Sequence, residues 1–253
     1  MHRHEFLKQL HRQLQPRTYL ETGIHVGWSL ALSAVPSVGI DPSFSIISEL
    51  RTDVHLARTT SDEFFARKHP LAHLPMNVVD LAFIDGMHLA EYALRDYLAV
   101  ERFTEPTSVI VFDDMLPRSV VEAARYREND EWTRKNAWTG DVYKAAQALR
   151  DMRPDLIVLE VDTTPTGVVV VLLPDTTRNG VLPGYDEWLD VAVAADPQPV
   201  PEEILTRSRA LDANELLQSK VWDEIVFLRQ SRRREPAAER IREALGSLAP
   251  ATG

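Results

Sequence analysis

Two stretches of the chain run apolar and then end in acid: Phe83-Ile84-Asp85-Gly86-Met87-His88 and Val109-Ile110-Val111-Phe112-Asp113-Asp114. Apolar runs of this length bounded by polar residues read as buried strands of a parallel sheet. Such sheets bind ligands just beyond the carboxyl ends of their strands. If the two strands are neighbours, Asp85, Asp113 and Asp114 meet in one small volume. Three carboxylates that close repel unless positive charge sits among them, and a hard divalent cation such as Mg2+ suits an all-oxygen set. His88, three residues past Asp85 at the start of the next helix, is the candidate base, because an imidazole of pKa about 6.5 takes a proton near neutral pH.

A second constellation lies upstream, in Glu21-Thr22-Gly23-Ile24-His25-Val26-Gly27-Trp28-Ser29. A glycine-bearing turn after a strand lets the backbone approach a ligand and offers free amides. Asp41 then closes the next strand, where a carboxylate can hold both hydroxyls of a ribose. This spacing fits either a dinucleotide or S-adenosylmethionine. The dinucleotide fingerprint requires a second glycine where His25 stands, and what remains, E-x-G-x-x-x-G, is the looser S-adenosylmethionine type.

The elements that must position these groups alternate along the chain. Phe6, Leu7, Leu10 and Leu14 recur at helical spacing, which predicts a helix over 3–14 that stops before Pro16. Strands are expected at 19–22, 37–40, 54–57, 78–84 and 109–112. Helices are expected from 27 to 33, over 45–50, from Ser61 as N-cap, over 89–102 and over 141–152. A closing pair of strands follows at 156–161 and 167–173. Repeated βα units imply an α/β, Rossmann-like, doubly wound and mostly parallel sheet with an antiparallel edge. After Pro174 the composition turns to Pro, Gly and Asp, and helical stretches follow over 202–230 and 236–248. The expected organisation is therefore a core over 1–175, with a lid-like polar insertion at 115–140, and a mainly helical extension over 176–253. Arg118, Arg125, Trp132, Arg134, Lys135 and Trp138 in that insertion are suited to bind and cover an acceptor. Asp141 reads as an N-cap for the helix that follows it, ahead of a further metal or substrate contact, Asp96 as a surface or packing group, and Glu91 as another such group or as one placed to orient His88.

A net charge of −10 over 253 residues argues against nucleic acid as a partner. The run Arg232-Arg233-Arg234 reads as a solvated helix end. There is no cysteine, which removes disulfides, thiol nucleophiles and thiolate metal sites. The first residues lack the apolar core of a signal peptide, and the longest apolar run, 167–173, is too short to span a membrane. The expectation is a soluble cytoplasmic protein with a small-molecule or oligosaccharide substrate. The apolar faces of the terminal helices suggest a homodimer.

Taken together, E-T-G-x-x-x-G-W-S, G-I-D-P, I-D-G-x-H-x-x-E, F-D-D and W-T-G-D-V resemble a class I S-adenosylmethionine-dependent methyltransferase. More narrowly, they resemble the metal-dependent O-methyltransferases of the macrocin and rhamnosyl type, and more distantly the catechol O-methyltransferases. The resemblance covers roughly residues 17–175 and implies a seven-stranded sheet. It places Gly23 and His25 at the methionine part of the cofactor, Ser29 at its carboxylate, Asp41 at the ribose, and Ser61 and Asp62 near the adenine, with Thr22 and Asp85 as further cofactor contacts. It makes Asp85, Asp113 and Asp114 the magnesium ligands and His88 the general base. The catechol-type enzymes carry lysine where His88 stands and asparagine where Asp114 stands, so the likeness points to a sugar hydroxyl as acceptor. The rivals are phenol methylation, a nicotinamide-dependent oxidoreductase and a non-catalytic binding subunit.

Overall fold

The computed structural model describes residues 1–127, 137–231 and 236–249. Its centre is a sheet of β1 (Tyr19–Thr22), β2 (Ser37–Ile40), β3 (Val54–Ala57), β4 (Leu81–Ile84), β5 (Val109–Phe112), β6 (Ile157–Asp162), β7 (Val168–Leu172) and β8 (Leu211–Asp212). The strand order is β3-β2-β1-β4-β5-β7-β6-β8. The first five strands are parallel, and β7 runs antiparallel to both β5 and β6. This is the Rossmann-like α/β arrangement expected of a class I methyltransferase. The eighth, two-residue strand pairs with β6 and exceeds the seven expected, since so short a segment leaves no apolar pattern to read. From β1 the chain works outward to β3 and returns to β4 on the other side, so β1 and β4 flank the topological switch point where such sheets bind ligands.

Period-two alternation divides the strands between two apolar layers. Ile110, Phe112, Val169 and Val171 face one layer, with Phe64, Leu94, Tyr97 and Leu149. Val109, Val111, Val168 and Val170 face the other, with Phe6, Leu10, Trp222 and Ile225. The first layer is carried by α2 (Ser61–Phe65), α3 (Ala90–Glu101) and α4 (Tyr143–Met152). On the second, α1 (Arg3–Leu14) ends with Gln15 in the left-handed region just before Pro16. Beyond β7 lie α5 (Tyr185–Ala192), α6 (Glu202–Leu205), α7 (Ala213–Leu217), α8 (Val221–Gln230) and α9 (Ala237–Leu245).

Several expectations need correction. The helix expected from 27 to 33 is only a 3-10 turn at Leu30–Leu32, because Pro36 and β2 follow too soon for more. No helix forms at 45–50: the amides of Ser45 and Ile47 donate instead to the carbonyls of His25 and Val26, tying this loop to the glycine turn. The N-cap of α2 is Thr60, in a capping box with Glu63, and Ser61 is the first helical residue. The stretch 202–230 is broken into α6, α7 and α8, with Arg207 in the left-handed region and Asp212 capping α7. The stretch 236–248 closes with a 3-10 turn at Gly246–Leu248. The Pro-rich segment holds α5, which its composition concealed. The apolar faces of α1 and α8, expected at a dimer contact, are covered within the chain: Phe6, Leu10, Trp222 and Ile225 are each at most 1% exposed. Among the described residues no helix is long and apolar enough to cross a membrane. Trp132, Arg134 and Lys135 of the expected lid, and Arg232 to Arg234, lie outside the described residues.

Candidate active site

At the carboxyl end of β1, Gly23 adopts a φ of +83°, and a Cβ there would lie 1.8 Å from the carbonyl oxygen of Asp85. Only glycine fits, and the contact locks the turn after β1 against the end of β4. His25 follows at a φ of 43°. Its amide donates to Asp41 Oδ2 at 2.9 Å, and the Ser43 amide donates to Oδ1 at 2.6 Å. A cavity of about 520 Å³ opens over this turn, lined by Thr22, Gly23, His25, Asp41, Ser61, Asp62, Asp85, His88 and Asp114. It therefore gathers every expected cofactor residue except Ser29.

Ser29 is buried behind the turn, and its hydroxyl donates to Glu21 Oε1 at 2.5 Å. The other oxygen of Glu21 accepts the Tyr19 hydroxyl at 2.7 Å. Burial pushes the Glu21 carboxyl up to about 8, although the Ser29 and Tyr19 hydroxyls favour its charged form. Ser29 thus braces the turn from behind. Asp62 is exposed at the cavity mouth and ion-paired with Arg95. Asp96, expected at the surface or in packing, lines the same cavity and is buried. Burial raises its carboxyl to about 6, against the favourable pull of the Ser61 and Thr22 hydroxyls. Its spacing from Ala93 and Val100 on the inner stripe of α3 was the signal for this placement.

The acids at the ends of β4 and β5 converge as expected, with one substitution. His88 Nε2 lies 3.7 Å from Asp85 Oδ1 and 3.2 Å from Asp114 Oδ2. Asp85, His88 and Asp114 each bring one ligand atom within 4.8 Å of the others. Asp113 is not in this group. It is buried and meets Arg3 Nη1 at 2.9 Å, while the same nitrogen lies 3.4 Å from Asp114 Oδ1. Asp114 has a φ of 59°, and its Oδ1 also accepts the Thr166 hydroxyl. Arg3 reaches the site from the first turn of α1, a contact across the chain that no local pattern announced.

His88 Nδ1 lies 2.7 Å from the carbonyl of Trp138. A carbonyl only accepts, so Nδ1 carries the proton and Nε2 faces the acids. The ring stacks on Trp138 at 5.0 Å. Burial alone would lower the imidazole pKa, but the Asp85 hydrogen bond and the charges of Asp114 and Asp85 outweigh it and raise it to about 9. Gly140 fixes the strap carrying Trp138, since a Cβ there would lie 1.7 Å from the His88 carbonyl oxygen. Asp141 does not cap α4. Its Oδ1 accepts the Ala90 amide at 2.9 Å in the first turn of α3, and its Oδ2 binds Arg125 and Lys144. Glu91 does not orient His88, because it forms a two-pronged pair with Arg125 at 2.7 and 3.0 Å. Arg118 is likewise held, by Glu122. The described arginines of the expected lid are thus engaged within the chain.

Three carboxylates share this volume with one guanidinium and one imidazole. Burial and its acidic neighbours Asp114 and Asp85 push the Asp113 carboxyl well above its ordinary range, and burial and Asp85 raise Asp114. The surplus of negative charge and the oxygen donors fit a divalent cation held by Asp85 and Asp114, with His88 beside it.

Residues 20–115 match the family model described as a methyltransferase domain. That segment holds the glycine turn, Asp41, Ser61, Asp62, Asp85, His88, Asp113 and Asp114. No curated protein matches the chain. Among solved structures it is similar to the O-methyltransferase TomG of Streptomyces achromogenes, involved in tomaymycin synthesis and solved with SAM. The identity is 18% over 67% of this chain and 78% of that one, with a TM-score of 0.45. It is also similar to the SAH-bound methyltransferase PaMTH1 of Podospora anserina, at 15% identity over 68% and 78%, with a TM-score of 0.48. A third is an O-methyltransferase of Bacillus cereus in complex with SAH, at 15% identity over 67% and 80%, with a TM-score of 0.44.

Proposed function

We propose that this chain is a magnesium-dependent S-adenosylmethionine O-methyltransferase acting on a hydroxyl of a sugar or glycoside. The observation that carries the reading is a single cavity that runs from the glycine turn and Asp41 to Asp85, His88 and Asp114. The close approach that Gly23 allows and the carboxylate of Asp41 would hold the cofactor and its ribose, in a cavity that Asp96 and Ser61 also line. Asp85, Asp114 and the His88 imidazole line the same cavity.

A divalent cation at Asp85 and Asp114 would make chelated hydroxyls more acidic. The same cation would offset the charges of Asp85 and Asp114 that raise His88, and the imidazole, fixed by Trp138 with Nε2 turned to the cavity, is then the group that accepts the hydroxyl proton. Asp113, held by Arg3, keeps β5 in place beside it. Lining residues at four strand ends would fix donor and acceptor relative to one another, and positioning of that kind supplies much of the rate in methyl transfer.

The test is transfer of a labelled methyl group from S-adenosylmethionine to a panel of sugars, glycosides and catechols, with magnesium and with EDTA. Label in a sugar acceptor, lost in EDTA, is the expected result. Label in catechols alone would move the acceptor to phenols, and full transfer in EDTA would remove the metal from the mechanism.

A further inference from the structure

We infer that the cleft between α1 and the 31–35 and 48–51 segments is a second ligand site, one that takes a small organic anion with an apolar body. The cleft measures about 870 Å³ and shares no lining residue with the cofactor cavity. It lies beside the segment that enters β2, whereas the acids sit at the opposite, carboxyl ends of the strands. Its volume is within the range of about 300–1,000 Å³ that encloses small molecules.

The charge of the cleft is opposite to that of the chain. On a protein of net charge −10, its walls carry Lys8, Arg12 and Arg51 against one acid, Glu49. Lys8 meets Glu5 at 3.4 Å on the surface of α1. Arg12 and Arg51 are exposed, and among the described residues no ion pair takes up either. Three cations gathered around one concavity attract an anion far more than the surrounding acidic surface does. The floor is apolar, built from Ala31, Leu32 and Val35.

A second, independent observation lies at the back of the cleft. His11 lines it and is 9% exposed, and its Nε2 is buried with no hydrogen-bond partner. Burial holds this imidazole neutral, down at about 4. The ring packs edge-on against Tyr19 at 4.7 Å, which fixes its plane. Cations around the cleft beside Ala31, Leu32, Val35 and a neutral imidazole suit a carboxylate or sulfonate carried on a ring or short chain. The small volume and the acid at Glu49 do not suit a nucleic acid.

The experiment is a fluorescence titration with 1-anilinonaphthalene-8-sulfonate on protein saturated with S-adenosylhomocysteine, which keeps the probe out of the cofactor cavity. Its neutral relative, N-phenyl-1-naphthylamine, is titrated in parallel. The expected result is one saturable site for the sulfonate, weakened about tenfold or more in Arg12→Glu/Arg51→Glu, since both charges would then repel the anion. Both side chains are exposed, so the variant keeps the fold. The His11 imidazole nitrogen resonances should shift on probe binding in the parent. Equal binding of the neutral probe, unchanged affinity in the variant or an unmoved His11 would each overturn the assignment.

Discussion

Two sets of buried acids in this molecule are handled in opposite ways. At one end of the sheet Asp80 is fully buried and receives Arg17 through both its backbone and its side chain at 2.7–2.8 Å, with Arg229 at 3.7 Å. Burial would raise the Asp80 carboxyl, but Arg17 and Arg229 hold it below its ordinary range. On α3, Glu101 is gripped by Arg153 at 2.9 and 3.0 Å and by the Tyr97 hydroxyl at 2.8 Å, all of it out of solvent. These acids are satisfied, and they serve the architecture. At the other end Asp85, Asp113 and Asp114 share Arg3 and His88, and Asp113 is pushed up rather than down. A fold that pairs its structural acids this completely, yet leaves three carboxylates short of positive charge, supports the cation site proposed above.

The comparison can be broken or sharpened by mutation. The largest effect belongs to the open set. Asp114→Ala should cut methyl transfer by about 10⁴-fold, on the order of 5 kcal/mol of barrier, while S-adenosylhomocysteine affinity measured by calorimetry stays within about threefold. Transfer at the parental rate would show that the acids are not catalytic. Next comes the closed set. Arg153→Ala strands the buried Glu101 charge, which should cost about 4 kcal/mol in urea unfolding. A loss below about 1 kcal/mol would mean that this pair does not hold the core together.

A smaller effect is expected at Glu21, whose carboxyl is raised in the folded protein. For an acid raised on folding, the neutral form is the stabilised one. Its contribution is complete below the unfolded pKa of about 4.3 and drains away as pH rises towards the folded value, about 8. Parental stability should therefore fall between about pH 5 and pH 8 by up to about 1.4 kcal/mol per pH unit through this group, and Glu21→Gln should flatten the slope. Parallel pH profiles from urea midpoints would contradict this. The smallest change should come from Asp113→Asn in metal-free protein, within about 1 kcal/mol of the parent, because the mutation removes a charge that is poorly compensated to begin with. Asp80→Asn should cost clearly more, and the reverse ranking would erase the distinction between the two sets.

Much of this was legible in the chain itself. The strands that end in Asp85, Asp113 and Asp114 announced themselves because apolar runs stop abruptly at acids, and the parallel order follows from the alternation of elements. Gly23, His25 and Asp41 were legible because close backbone approach demands glycine and a fixed spacing. The misses share a cause, which is partners distant in sequence. Arg3 meets Asp113 only after α1 docks on the sheet. Ser29 turns inward because Glu21 and Tyr19 wait behind it. The 45–50 segment carries helix-like spacing, yet spends its amides on His25 and Val26. Asp141 caps α3 rather than its own helix because Arg125 and Lys144 draw its other oxygen.

The measurement that bears most directly on the account is a calorimetric titration of the metal-free protein with S-adenosylhomocysteine. The account predicts binding in the micromolar range, about −8 kcal/mol, lost in Asp41→Ala and preserved in Asp114→Ala. No heat at two temperatures, or binding indifferent to Asp41, would contradict the assignment of this cavity to that cofactor.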